Sequence, residues 1–395
     1  MNRLYAVLIM VAVLGISFPA QAGAVVAASH KGVAQGNTDL AVDLYRELGR
    51  QQGNLFFSPL GISSALAMTY AGAREDTAAQ MKGALHFQLE QPGLNSAFRG
   101  LTLKLDESAK KSDQRLNIAN ALVLTGGRVS DNYLKTLRTY YNAEAFGGDL
   151  GAINAWVKRK TEGKIPSILD QLSANSVCVI LNAIYFKGVW DAQFDTLKTR
   201  DDIFTTSSGA RVKTRLMNRK DNYRLLEQDG LQVISLPYKG KSLSMVVILP
   251  VEVQGLRGFE TGLSAAGVRE LIAKLDKQPE RMVSVYFPKF KMETKYDLAG
   301  PLQKMGMKNA FGPDADFSGM GWHKGDLWIG QIKHRAFVEV NEEGTEAAAA
   351  TAVEMVTKSA VPRDTVFRAD HPFLFMIRDN ETGTILFLGR MDNPA

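Results

Sequence analysis

Cysteine is nearly absent from this sequence, which has one cysteine, Cys178, among its 395 residues. A single thiol cannot form an internal disulfide, so the chain is not a small disulfide-stapled domain and must be stabilised by its core. Cys178 lies in the apolar run SVCVILNAIYF, where burial would keep a thiol protonated. We therefore expect an inert buried cysteine and not a nucleophile.

Histidine and clustered charge are also scarce. The five histidines form no H-x-x-x-H or H-E-x-x-H pair, so the spacing typical of a metal site is missing and no metal is expected. There is no G-x-x-x-x-G-K-[ST] loop for a nucleotide, and no cofactor is expected. The net charge of +6 is spread along the chain without a basic block, which argues against a nucleic-acid partner.

Long hydrophobic runs are missing, and the one notable apolar run is at the N-terminus. A positive start precedes residues 4–16, which are too few to span a bilayer, and an Ala-x-Ala pattern follows at Ala20 and Ala22. This layout is typical of a secretory signal peptide over residues 1–22, with a retained membrane anchor as the alternative. We expect export to the periplasm or the extracellular space, and no membrane contact of the mature chain.

The order of predicted elements indicates an α+β protein. Residues 23–36 are small and polar, which predicts a flexible lead-in, and the Asn-Thr-Asp sequence at 37–39 predicts a helix start. Helical periodicity dominates the first part of the chain, and from about residue 175 strands rich in Val, Ile, Phe and Tyr follow. The segment 371–391 is predicted to be a buried hairpin. Without repeats or linkers, we expect a single domain over residues 37–395.

An exported serine hydrolase is the alternative from another functional class. Ser108 and Lys111 match S-x-x-K, and S-D-N occurs at 130–132, as in β-lactamases. The K-T-G motif, however, is interrupted at 160–163, and Ser108 lies in a charged stretch. The near match to G-x-S-x-G at 61–65 lacks its last glycine and follows no predicted strand. We therefore expect no catalytic residues and predict that the protein is not an enzyme.

The segment NEEGTEAAAATAVEMVTKSAVPRD, residues 341–364, stands between two strand-like runs. Its alanines favour a helix, and an ordinary exposed helix is one interpretation. Read with a period of two, however, one face is small and uncharged, while Glu346 and Glu354 fall on the other. A sequence compatible with loop, helix and strand suits a conformational switch. Beyond it, Lys358-Ser359 is a bond that a trypsin-like proteinase, with an aspartate in its specificity pocket, would cleave.

With these features on one chain, the sequence resembles the serpins, serine-proteinase inhibitors of the suicide-substrate type. The resemblance covers residues 37–394, and its segments occur in the order found in the family. They are NLFFSPLGISSALAMTYAGA, INAWVKRKTEGKI, LNAIYFKGVWDAQF, FPKFKMETKYDL, ADFSGM, the hinge-like NEEGTEAAAATA and HPFLFMIRDNETGTILFLGRMDNP.

The resemblance implies a fold and a mechanism. The fold would have about nine helices packed on three β-sheets, with an exposed reactive-centre loop near the C-terminus. A trypsin-like proteinase would attack Lys358 and form a covalent 1:1 complex with a monomeric inhibitor. The cleaved loop would then insert into the central sheet, as serpin loops do when they add a strand. Family spacing favours Lys358-Ser359 as the reactive bond over the competing Arg363.

The resemblance also implies roles for residues outside the reactive bond. Ser58, Asn182 and His334 match the shutter, a hydrogen-bonded cluster beneath the point where the sheet parts, and Trp190 matches the breach at its top. Gly61 stands where the family usually has serine, which predicts a thinner shutter network. The predicted hinge comprises Glu342, Glu343, Gly344, Thr345, Glu346, Ala347, Ala348, Ala349 and Ala350. Within the same fold, the alternative is a non-inhibitory serpin that acts as a binding or storage protein.

Overall fold

The computed structural model describes residues 20–112, 114–172, 178–345 and 365–395, with side chains from residue 30 onward except at residue 111. None of the helices in these ranges is long and apolar enough to cross a membrane. The α-helices in these ranges are α1 Ala20–Leu48, α2 Pro59–Tyr70, α3 Glu75–Ala84, α4 Gln91–Lys111, α5 Asp131–Thr136, α6 Leu150–Lys160, α7 Gly255–Gly262, α8 Ala265–Asp276 and α9 Ala299–Lys304.

Fifteen strands over the same ranges confirm the α+β class. They are β1 Leu55–Phe57, β2 Arg115–Leu124, β3 Glu144–Gly147, β4 Cys178–Val189, β5 Arg200–Thr205, β6 Arg211–Gln228, β7 Leu231–Pro237, β8 Leu243–Pro250, β9 Glu280–Pro288, β10 Phe290–Asp297, β11 Ile329–Val340, β12 Gly344–Thr345, β13 Thr365–Arg368, β14 Phe373–Asp379 and β15 Ile385–Met391.

The strands form two hydrogen-bonded sheets where three had been expected. The larger sheet has the order β1-β15-β14-β8-β7-β6-β9-β13, with β5 also paired to β6. Strand β6 is 18 residues long and pairs with β5 at one end and β7 at the other, so it joins two sheet regions into one. The smaller sheet has the order β10-β11-β12-β4-β2-β3.

The core lies between the two sheets and the first helices. All residues of α2, β8, β14 and β15 are buried, so the predicted buried C-terminal hairpin is confirmed. Aromatic rings from different strands meet there: Phe56 stacks on Phe387 with ring centroids 5.2 Å apart. Cys178 is buried, and burial raises the pKa of its thiol to about 12, which confirms an unreactive thiol.

Helix α1 differs from the expectation for the N-terminal segment. The helix starts at Ala20 and runs to Leu48, so the predicted start at 37–39 and the flexible lead-in at 23–36 are wrong. Asn37 donates a hydrogen bond from its amide to the Ile385 carbonyl (2.9 Å), and Thr38 bonds back to Ala34 (3.0 Å). These side chains therefore do not cap a helix: both lie inside α1, where Thr38 bonds within the helix and the Asn37 amide reaches across to β15. Residues 1–19 of the predicted signal peptide lie outside the described ranges.

Candidate functional site at the seam between β4 and β11

The centre of the smaller sheet contains a parallel seam between β11 and β4. Pairing runs from Ile329 opposite Cys178 to Phe337 opposite Tyr185. Beyond that point β12 lies between the two strands and is antiparallel to both. Thr345 pairs with Val340 of β11 and Gly188 of β4. The chain that leaves β11 therefore turns back and begins to fill the seam from one end.

The turn before β12 is bound to the residues that follow β4. The backbone amide of Trp190 donates to the Glu343 carbonyl (2.8 Å), and that of Phe194 donates to the Glu342 carbonyl (2.8 Å). The indole Nε1 of Trp190 donates to the Asn341 carbonyl (3.0 Å). Trp190, predicted at the breach, thus contacts the first residues of the predicted hinge.

The two glutamates of the turn have opposite electrostatic surroundings. Burial alone would raise the pKa of Glu342, but hydrogen bonds from Lys289 and Thr199 outweigh it and lower that pKa. The contacts are 2.7 Å to Lys289 Nζ and 2.8 Å to Thr199 Oγ1. Burial, and then the neighbouring charge of Glu342, raise the pKa of Glu343. Glu342 is therefore the anchored carboxylate of the pair.

Gly344 occupies a position that other residues would strain. Its φ is +153°, and a Cβ there would lie 2.0 Å from the carbonyl oxygen of Gly188. Thr345, the next residue, is fully buried, and its Oγ1 lies 2.8 Å from the hydroxyl of Tyr238. Tyr238 stacks on Trp190, with ring centroids 4.6 Å apart and planes 9° apart. Glycine is required at 344 because the adjacent strand approaches so closely.

Ser58, Asn182 and His334 lie together beneath the seam. The Ser58 amide donates to His334 Nε2 (3.0 Å), and His334 Nδ1 contacts Asn182 Oδ1 (2.7 Å). Nε2 must accept from the amide, so Nδ1 carries the proton and donates to Asn182. Burial lowers the pKa of His334 to about 3, which is consistent with a neutral ring. This His334–Asn182 bond joins β11 directly to β4.

Sequence reasoning missed two members of this cluster. The Asn182 amide donates to Asn120 Oδ1 (2.7 Å), and the Asn120 amide donates to Ser64 Oγ (2.9 Å). A Cβ at Gly61 would lie 2.6 Å from Asn182 Oδ1, so the missing side chain leaves room for that amide. The signal was available: Asn120 is a polar residue within an apolar strand, and it faces Asn182 across the β2–β4 pair.

The remaining predicted residues are placed elsewhere or are outside the described ranges. Lys358, Ser359, the rival Arg363 and the hinge residues 346–350 lie outside them. The serines of the hydrolase-like motifs belong to helices: Ser108 is within α4 and Ser130 caps α5. Over the described ranges, no group of three or more His, Cys, Asp or Glu side chains could hold a metal ion.

Comparisons with known proteins agree over nearly the whole chain. The family model "Serpin (serine protease inhibitor)" matches residues 35–394. Leukocyte elastase inhibitor of Sus scrofa is 40% identical over 379 residues, covering 91% of this chain and 98% of that protein. The native structure of the thermophilic serpin tengpin matches with a TM-score of 0.82 and 30% identity, covering 91% and 94%. Human thyroxine-binding globulin complexed with thyroxine matches with a TM-score of 0.84 and 29% identity, covering 93% and 100%.

Proposed function

This chain belongs to the serpin family of serine protease inhibitors, and on that premise we propose that it is a suicide-substrate inhibitor of trypsin-like proteinases with Lys358-Ser359 as its reactive bond. The observation that carries the proposal is β12. Two hinge residues already lie between β11 and β4, where the rest of the loop would add a strand. The proposed trypsin-like specificity rests on the residue type at Lys358. It does not rest on the similar proteins, since the pig homologue is named for elastase inhibition.

The proposed reaction starts as ordinary proteolysis. The serine Oγ of the proteinase attacks the Lys358 carbonyl carbon, and the peptide bond to Ser359 breaks. The new amine of Ser359 leaves with a proton from the proteinase histidine, and an ester links Lys358 to the enzyme. The released strand can then extend β12. Residues 345 to 358 would span on the order of 45 Å as a strand, which carries the acyl-enzyme across the molecule.

The register of β12 specifies what insertion would displace. Because β12 is antiparallel to both neighbours, each further residue of an inserted loop would pair with the residue one position earlier in β4 and in β11. Continued in this way, Thr351 would lie opposite both Asn182 and His334. Insertion must therefore break the His334–Asn182 hydrogen bond that spans the seam, and it offers the Thr351 hydroxyl as a new partner. This supports the shutter role proposed for these side chains.

The energetics favour a native state that is kinetically trapped. The seam is closed by backbone pairs along β4 and β11 and by the His334 bond, and both must open before the loop can enter. Once the loop is cut, a full central strand is gained. We therefore propose a metastable native fold that is protected by an unfolding barrier and not by its equilibrium stability.

Incubation with bovine trypsin, followed by a denaturing gel, tests the proposal. We expect a covalent 1:1 complex, with Ser359 as the new N-terminus of the released peptide. Lys358→Ala should abolish the complex and Arg363→Ala, the matched control, should leave it. Complete cleavage without a complex would indicate the non-inhibitory alternative, and hydrolysis of small esters or β-lactams would indicate the hydrolase.

Export through residues 1–22 is a further proposal, tested by N-terminal sequencing of the mature protein.

A further inference from the structure

The contact between Tyr238 and Thr345 points to a role for a residue far from the reactive bond. We infer that Tyr238 is a positioning residue that holds the hinge inside the sheet before any proteinase arrives. Its hydroxyl oxygen lies 2.8 Å from Thr345 Oγ1, and both residues are fully buried. The bond joins β12 to the segment after β7, which is 107 residues away in sequence.

The surroundings of Tyr238 aim its hydroxyl at this one position. The ring stacks on Trp190 at 4.6 Å and meets Phe186 edge-on at 5.1 Å. On the strand side, Gly188 leaves the space that the ring needs, since a Cβ there would lie 2.9 Å from Tyr238 Cδ1. With its ring fixed by these contacts, the tyrosine has little freedom to direct its hydroxyl elsewhere.

Two arrangements of the seam compete, and the Tyr238 bond favours one of them. With β12 in place, Thr345 pairs with both Val340 and Gly188. If β12 withdrew, the β4–β11 pairing could continue past Phe337 and Tyr185, because both strands extend beyond that pair. Withdrawal would leave the Tyr238 hydroxyl buried without Thr345, and an unpaired buried hydroxyl is unfavourable. The bond therefore biases the hinge towards the inserted arrangement.

The same bond couples the hinge to the indole of Trp190. Trp190 Nε1 donates to the Asn341 carbonyl, and its backbone amide donates to the Glu343 carbonyl. The indole of Trp190 therefore lies between the ring of Tyr238 and the turn before β12. Release of Thr345 should loosen the whole turn, and the backbone amides of Trp190 and Phe194 would report it.

For the inhibitor, and thus resting on the proposed function, Tyr238 completes the first step of insertion in advance. A hinge that starts inside the seam needs no nucleation after cleavage, so insertion begins at once. A hinge that starts outside must first displace the closed β4–β11 pairing. Tyr238 should therefore favour trapping of the proteinase over its release with cleaved inhibitor.

Hydrogen exchange measured by mass spectrometry on the uncleaved protein tests the placement without reference to inhibition. In Tyr238→Phe, the amides of Trp190 and Phe194 should exchange roughly tenfold faster, as expected for the loss of one buried hydrogen bond. Tyr133→Phe is the matched control, because its hydroxyl donates to the Met68 carbonyl at 2.8 Å, away from the hinge. In Tyr238→Phe/Thr345→Val, removal of both hydroxyls should give no faster exchange than removal of one. Equal exchange in Tyr238→Phe and Tyr133→Phe would overturn the inference.

The second measurement is the fraction of inhibitor recovered cleaved instead of complexed with trypsin. It should rise several-fold in Tyr238→Phe and stay at the wild-type value in Tyr133→Phe. An unchanged fraction would overturn the inferred effect on trapping. If wild-type protein forms no complex, the proposed function fails, whereas the exchange result still decides whether Tyr238 holds the hinge.

Discussion

Acid should weaken this fold through one buried histidine. His334 is fully buried, accepts a hydrogen bond from the Ser58 amide and donates one to Asn182. A proton added to Nε2 would face the Ser58 N–H, so the charged ring would lose that bond and gain no partner. The ring therefore stays neutral in the folded protein, and burial lowers its pKa to about 3.

The size of the effect follows from the two pKa values. An unfolded chain binds the proton with a pKa of 6.5, whereas the folded chain does so at about 3. The contribution of His334 to stability is therefore complete above pH 6.5 and is lost as the pH falls below it towards 3. Between pH 7 and pH 5 the loss amounts to about 2 kcal/mol. For a kinetically trapped fold, this corresponds to unfolding that is faster by up to about 25-fold.

The contribution of His334 is measured by comparing the unfolding rates of wild type and His334→Gln at pH 7 and at pH 5. A glutamine at this position can donate to Asn182 and accept from Ser58 but does not titrate. The unfolding rate of His334→Gln should therefore respond less to pH than that of wild type. Burial alone would lower the pKa of His371, but Asp370 raises it, so its effect has the opposite sign and cancels in the comparison. Tyr296, stacked on His334, has a pKa raised by burial and does not titrate in this range. An equal acceleration in the two proteins would refute the reasoning.

Three substitutions in the loop and hinge give separate predictions. Thr345→Arg places a charge in a fully buried site at a cost of several kcal/mol. Trypsin should still bind and cleave the variant but should release it as cleaved product, so an undiminished gel-stable complex would contradict the prediction. Gly344→Ala puts a Cβ 2.0 Å from the Gly188 carbonyl at φ +153°, which should expel the hinge and speed exchange of the Trp190 amide. Lys358→Glu should abolish complex formation with trypsin, because the aspartate in the specificity pocket of a trypsin-like proteinase selects Lys or Arg before the cleaved bond.

Much of the fold was readable from the sequence because it depends on local pattern. The C-terminal hairpin is apolar on both faces and proved buried, and Cys178 within an apolar run proved to be an inert thiol. The N-terminal prediction failed for a tertiary reason. Asn37 looked like a helix cap, but Ile385, 348 residues away, supplies its hydrogen-bond partner and the helix continues through it.

The number of sheets could not be read from strand signals either. Periodicity identifies strands but not their partners, and the unbroken β6 joins regions that would otherwise form separate sheets. The same limit applies to the site. Ser58, Asn182 and His334 were found by resemblance, whereas Asn120, Ser64 and Tyr238 were identified from the contacts that the fold brings together.

The sequence by itself determined the family and the α+β composition, and it carries the small, uncharged alternation on which the proposed loop insertion depends. These properties depend on residue type and spacing, which the chain carries whether or not it is folded. Tertiary structure alone decided that β12 already occupies the seam and that Tyr238 holds Thr345 there. It also decided that His334 bridges β11 and β4 as a neutral ring. Those facts depend on which distant segments pair and exclude water, and residue spacing does not encode that pairing.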